Sequence, residues 1–143
     1  MKLTILLSII TMSCFLSILS AQNNVEALIG SWEFNLSISE TKMQTETKLR
    51  LESSPTQKTL IEQLYKKRKV IFSDDGSYEQ ILLDGRISKG EWKLDNDTIY
   101  ITDTNGYAYK QKIEVLTESH LVLIPIVDEG IIPYMPEWHF LKL

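Results

Sequence analysis

Two histidines, one cysteine and a scatter of carboxylates are the residues of this 143-residue chain whose types suit catalysis or metal binding. His120 follows Glu118-Ser119 at an expected turn, and His139 has strand parity opposite to Trp138 and Phe140, which turns it outward. An axial haem ligand would have to point inward, so no haem is expected. Asp74-Asp75, Asp95-Asn96-Asp97 and Asp103-Thr104-Asn105 offer the oxygens that calcium takes, yet none has the EF-hand spacing with its terminal Glu. Clusters of this kind serve tight turns, where Asp and Asn side chains bond their own backbone two residues on. The sequence contains no Gly-x-Ser-x-Gly elbow, His-Glu-x-x-His helix, Walker loop or Rossmann glycine pattern. The expectation is therefore a non-catalytic chain with no cofactor and no metal. Lys66-Lys67-Arg68-Lys69 reads as the solvated end of a helix, where cations complement the helix dipole, with an anion-binding patch as the alternative.

Hydrophobic residues at 43% and charged residues at 24% are ordinary for a soluble domain, and the length holds only one. The net charge of -4 gives no basic surface for phosphates, so no nucleic-acid partner is expected. Residues 1–21 read as a signal peptide: Lys2, an apolar run from Leu3 to Leu19, and cleavage after Ala21, leaving 22–143 as the exported domain in the periplasm, on the outer surface or secreted. A retained spanning helix is the competing reading, weakened by five Ser and Thr inside the run. Cys14 lies inside this leader, so the mature domain has no disulfide and no thiol chemistry. Acylation at Cys14 would need a Leu three residues before it and a polar tether after it, and the sequence has neither, so no lipid anchor is expected.

From residue 31 onward the pattern is alternation, the mark of strands with one buried face. Trp32, Phe34, Leu36 and Ile38 share one parity, and residues 45–52 repeat it with Leu49 and Leu51. Ser54-Pro55-Thr56-Gln57 forms a capping box for a helix at about 55–67, with Leu60, Ile61, Leu64 and Tyr65 on one stripe. Beyond it, short strands alternate with Asp75-Gly76, Asp84-Gly85 and Asn105-Gly106, the dipeptides that hairpin turns select. Eight or nine antiparallel strands in so small a domain stack as two sheets or close into a barrel. The interior would hold Trp32, Phe34, Leu36, Leu49, Leu51, Phe72, Trp92, Leu94, Ile99, Ile101, Ile113, Val115, Leu121, Leu123 and Phe140.

Gly30-Ser31-Trp32-Glu33-Phe34, preceded by Leu28-Ile29, resembles the Gly-x-Trp opening of lipocalins and of the bacterial exported lipocalin-like domains. Phe72 to Tyr78 with its Asp75-Gly76, then Gly90-Glu91-Trp92-Lys93-Leu94, then Leu121-Val122-Leu123 follow in the order of that family. The resemblance spans Leu28 to Leu143. It implies an all-β fold, an antiparallel up-and-down eight-stranded barrel with one short helix, and Trp32 closing one end. In many family members an Arg of the last strand packs over that Trp; here the last strand offers only Lys142. The Thr-Asp-Tyr pattern of true lipocalins is absent, so typical lipocalin transport is not implied.

Two functions fit this reading. In the first, the barrel binds a small hydrophobic molecule through Trp32, Phe34, Tyr78, Trp92, Tyr107 and Tyr109, with Pro125 to Pro136 as a lid. That segment is too apolar for an ordinary loop, with Ile131, Ile132, Tyr134 and Met135. In the second, the barrel is filled and a protein partner binds the same segment.

Overall fold

The computed structural model describes residues 24–143; the expected leader, its cleavage point and Cys14 lie outside the described residues. Eight strands form the sheet: β1 (Gly30–Phe34), β2 (Lys69–Phe72), β3 (Ser77–Ile81), β4 (Ile87–Asp95), β5 (Thr98–Asp103), β6 (Ala108–Leu116), β7 (His120–Ile126) and β8 (Trp138–Lys142). Each pairs antiparallel with the next, and β1 returns to pair with β8, Trp32 opposite Lys142 and Phe34 opposite Phe140, so the sheet closes into a barrel. Tight turns make the meander. Asp75 accepts from the Ser77 N–H at 2.9 Å, and one oxygen of Asp103 accepts from the N–H groups of Asn105 and Tyr107 at 2.8 and 2.9 Å. Those carboxylates do turn chemistry, as their spacing predicts.

Between β1 and β2 the chain makes three helices, α1 (Leu36–Thr41), α2 (Thr45–Glu52) and α3 (Pro55–Tyr65), where one was expected. The alternation from Trp32 continues only to Phe34. Asn35 then caps α1, its side-chain oxygen accepting from the Ile38 N–H at 3.2 Å. Residues 45–52 are helix and not strand: the apparent alternation of Leu49 and Leu51 rests on two residues, and a helical repeat buries Thr47 with Leu51 and leaves Leu49 60% exposed. Leu36 is half-buried and Leu51 is buried, but Leu51 joins a second small core with Met43, Ile61 and Met135, outside the barrel. The helix expected at 55–67 is present and ends at Tyr65, with Pro55 in its first turn; the Ser54 side chain makes no capping bond, so the capping box is not formed.

The barrel core holds Leu28, Trp32, Phe34, Val70, Phe72, Tyr78, Trp92, Ile99, Ile101, Leu121, Leu123 and Phe140. Val115 faces outward, against the parity reading, because the β6–β7 register slips between Ile113 and Val115 and hands the inward place to Leu116, which packs on the core. The two Gly-x-Trp motifs are alike in sequence but their glycines serve different needs. A Cβ on Gly90 would collide with the main-chain carbonyl of Thr102 on β5, so that strand pair closes only around glycine. Gly30 has φ +130, a conformation that L side chains avoid.

Candidate functional site

One end of the barrel is filled. Trp32 is fully buried there, and its indole N–H donates to the Leu28 carbonyl at 2.8 Å. The Lys142 ammonium sits 4.2 Å from the Trp32 ring centre and donates to the carbonyls of Ala27 and Ile29. Burial pulls that ammonium below the ordinary lysine range, while the ring face and the two carbonyls favour its charged form. A Cβ on Gly30 would touch only the flexible end of Lys142, so it is the backbone at φ +130 that calls for glycine in the first motif. Lys142 thus takes the place over the tryptophan that the resemblance assigns to arginine. Above this floor, Phe72 meets Tyr78 and Trp92 at 5.4 Å each, and the Trp92 indole donates to the Ser73 carbonyl at 2.9 Å.

The opposite end is open, and there the inward side chains become polar. Arg68 follows α3 after a turn at Lys67, which has φ 54, and immediately precedes β2; its side chain shares inward parity with Val70 and Phe72 and is only 8% exposed. The expected solvated helix end is accordingly corrected for this residue, while Lys66, Lys67 and Lys69 are exposed. The guanidinium lies 4.8 Å from the Trp138 ring centre and 5.4 Å from that of Tyr65. One of its terminal nitrogens donates to the Gln80 side-chain carbonyl, which also accepts from the Tyr78 hydroxyl at 3.4 Å; Tyr109 donates to Tyr78 at 3.2 Å. Among the described residues Arg68 Nε and Gln111 Nε2 are buried with no hydrogen-bond partner, and no carboxylate forms an ion pair with Arg68.

Burial raises the phenol pKa values of Tyr65, Tyr78 and Tyr109 above the ordinary tyrosine range, the Tyr78 partner adding to the rise at Tyr109, while the Arg68 charge pulls all three the other way. All three are therefore neutral hydroxyls at physiological pH.

A cavity of about 770 Å³ opens over this cluster. Arg68, Gln80, Tyr109, Gln111 and Trp138 line its inner part, and Asp103, Tyr107, Val127, Asp128 and Ile131 its rim; the same volume spreads over the rim onto the outer face of β4–β6, where Lys93, Tyr100 and Lys110 have parity opposite to Trp92, Ile101 and Tyr109. Of the side chains expected to contact a ligand, Tyr107 and Tyr109 line it, the first 69% exposed at the rim and the second half-buried. Trp32, Phe34, Tyr78 and Trp92 do not; they form the packed floor and wall beneath. In the expected lid, Met135 is buried against the helices and Ile131 borders the cavity, while Ile132 and Tyr134 are exposed, with Arg50 5.6 Å from the Tyr134 ring centre.

Arg68, Gln80 and Gln111 were not expected in the site. The signal for them was parity: Gln80 shares a face with Tyr78, Gln111 with Tyr109, and Arg68 with Val70. The histidines are not brought together. His120 is exposed, and His139 is half-buried beside Glu137 at 3.0 Å, with parity opposite to Trp138 as expected. Among the described residues no group of His, Cys, Asp and Glu could hold a metal ion, and no helix is long and apolar enough to cross a membrane.

A closed eight-stranded meander with a plugged end and an open mouth defines a lipocalin-like barrel. The family model described as a lipocalin-like domain matches residues 28–123, well over half of the chain, and the protein belongs to that family. Comparison with curated proteins and with solved structures gave no match.

Proposed function

We propose that this protein is an exported, non-catalytic carrier or sensor of a small apolar molecule, taken up through the open mouth of the barrel. Residues 1–21 act as the signal peptide and 22–143 as the exported domain in this reading, on the strength of the leader's pattern of Lys2, apolar run and Ala21. The observation that carries the binding role is the open mouth, where Arg68, Gln80, Tyr109, Gln111 and Trp138 line the inner part of a hollow that continues onto the outer face of β4–β6. Its placement supports the same role: one barrel end is plugged by Trp32, and the other gathers Tyr107, Val127 and Ile131 at its entrance. Tyr107 and Tyr109 are the proposed ligand contacts among the tyrosines, and the segment carrying Ile131, Ile132, Tyr134 and Met135 is the proposed lid, anchored by Met135.

Titration of the purified protein with an uncharged naphthylamine probe tests this. Saturable emission enhancement at one probe per barrel is the expected result, and a linear, unsaturable response would overturn the reading. The exposure of Ile131 and Ile132, at 56% and 66%, favours a second role in which the lid docks a protein partner. That role alone would stand if the folded barrel took up no probe.

A further inference from the structure

We infer that the outer face of the barrel over β4, β5 and β6 is a docking surface for an acidic segment of a partner protein. The inference rests on the second reading above, a protein partner, and gives that partner a place and a chemistry outside the barrel. Strand register sets the surface out. Lys93 of β4, Tyr100 of β5, Lys110 of β6 and Ile126 of β7 stand opposite one another in turn, all with outward parity. The hollow that leaves the mouth continues over them and is bordered by Tyr107, Val127 and Ile131. Ile126, Val127 and Ile131 are exposed, so this outer surface joins aliphatic side chains to a half-buried aromatic ring.

Its charge names the kind of partner. Four lysines stand on the outer face of β4 and β6, and two of them have carboxylates: Lys89 pairs with Glu79 at 3.1 Å and Lys112 with Glu114 at 3.5 Å. Lys93 and Lys110 pair with none among the described residues, although Glu91 and Asp95 flank Lys93 along its own strand. Both ammoniums turn instead to one ring, 5.3 and 5.8 Å from the Tyr100 ring centre. Attraction to a ring leaves N–H groups of an ammonium free for an anion, so two cations gathered by Tyr100 form a preset receptor for carboxylates. A free anion, or a polyanion without apolar side chains, would leave Ile126, Val127 and Ile131 unused. A protein segment that mixes carboxylates with apolar side chains uses both halves of the surface.

The test titrates the purified protein with short dye-labelled peptides of Glu interspersed with Leu and Phe, and with counterparts carrying Gln or Lys in place of Glu. The Glu peptide should bind roughly tenfold or more tighter than the Gln peptide, and the Lys peptide should be the weakest. Lys93→Met combined with Lys110→Met should erase that preference. Lys89→Met combined with Lys112→Met removes the same charge from the same face and should leave affinity for the Glu peptide within about threefold. Ile126→Ser should weaken the Glu and Gln peptides alike, by about fivefold. Saturating the barrel with the uncharged probe should leave peptide binding unchanged. Equal binding of the Glu and Gln peptides would overturn the inference, as would a preference that survives loss of Lys93 and Lys110. Displacement of the peptide by the barrel probe would put it in the mouth and overturn the inference too. A loss confined to Ile132→Ser, on the lid and away from the hollow, would overturn the surface named here and return the partner to the lid.

Discussion

The two ends of the barrel carry the same pair of side chains, a cation over a tryptophan, and use it differently. At the plugged end Lys142 lies over Trp32 and donates to two main-chain carbonyls. At the mouth Arg68 lies over Trp138 and keeps a buried N–H without an acceptor. A fully satisfied cation stabilises the fold that surrounds it, whereas a buried N–H without an acceptor is a standing cost that stacking and the bond to Gln80 offset only in part. The difference separates scaffold from site within one continuous sheet.

The comparison breaks most sharply at Trp32. Trp32→Ala empties the plug and should lower stability by about 3–5 kcal/mol, read as a shift of the urea midpoint, with no change in probe affinity at the mouth. A lost probe affinity in the folded variant would mean that the two ends are not separate.

Alkaline titration probes the mouth next. Below about pH 10 the phenols of Tyr65, Tyr78 and Tyr109 are protonated in both folded and unfolded chains. Above it the unfolded chain releases protons that the folded one keeps, because all three folded pKa values are raised. Stability should then fall by about 1.4 kcal/mol per pH unit for each phenol held neutral, until the folded-state values are passed. Denaturant midpoints measured across that range would show a flat profile if the phenols were in fact solvated.

The smallest effects carry the sign of the comparison. Lys142→Met removes a satisfied cation and should destabilise by about 1–2 kcal/mol. Arg68→Met removes an uncompensated charge while keeping much of the aliphatic stem, so its stability should change by less than about 1 kcal/mol, in either direction. Equal losses in the two variants would show that both cations are structural.

Much of the barrel was legible because strands with one buried face announce themselves by alternation. β4, β5 and β7, bounded by turn residues, read directly, and the order Gly-x-Trp, Asp-Gly, Gly-x-Trp gave the family. The helical insert between β1 and β2 was not legible, for a physical reason. Over six to eight residues, two apolar side chains two apart fit a strand, and Thr47 with Leu51 four apart fits a helix; only packing against Met43, Ile61 and Met135 decides between them. Val115 was misplaced because a one-residue register slip in β6 leaves no mark in composition. The polar cluster at the mouth was hidden differently. Arg68 stands inside a lysine run that genuinely is solvated, and only its parity with Val70 and Phe72 separates it from its neighbours. Gln80 and Gln111 are polar residues at inward positions, which a search for apolar side chains passes over.

Closure of the cylinder has a mechanical consequence. Trp32 and Lys142 are opposite one another across the β1–β8 seam, yet almost the whole described chain lies between them. Every other junction but β1–β2 is made by strands joined through a short connection or the lid segment. β1 has only five residues, and it alone holds both long-range junctions. Peeling away that one ribbon would strip partners from two strands at once and uncork the aromatic floor, so resistance to unzipping is concentrated where Trp32 is pinned.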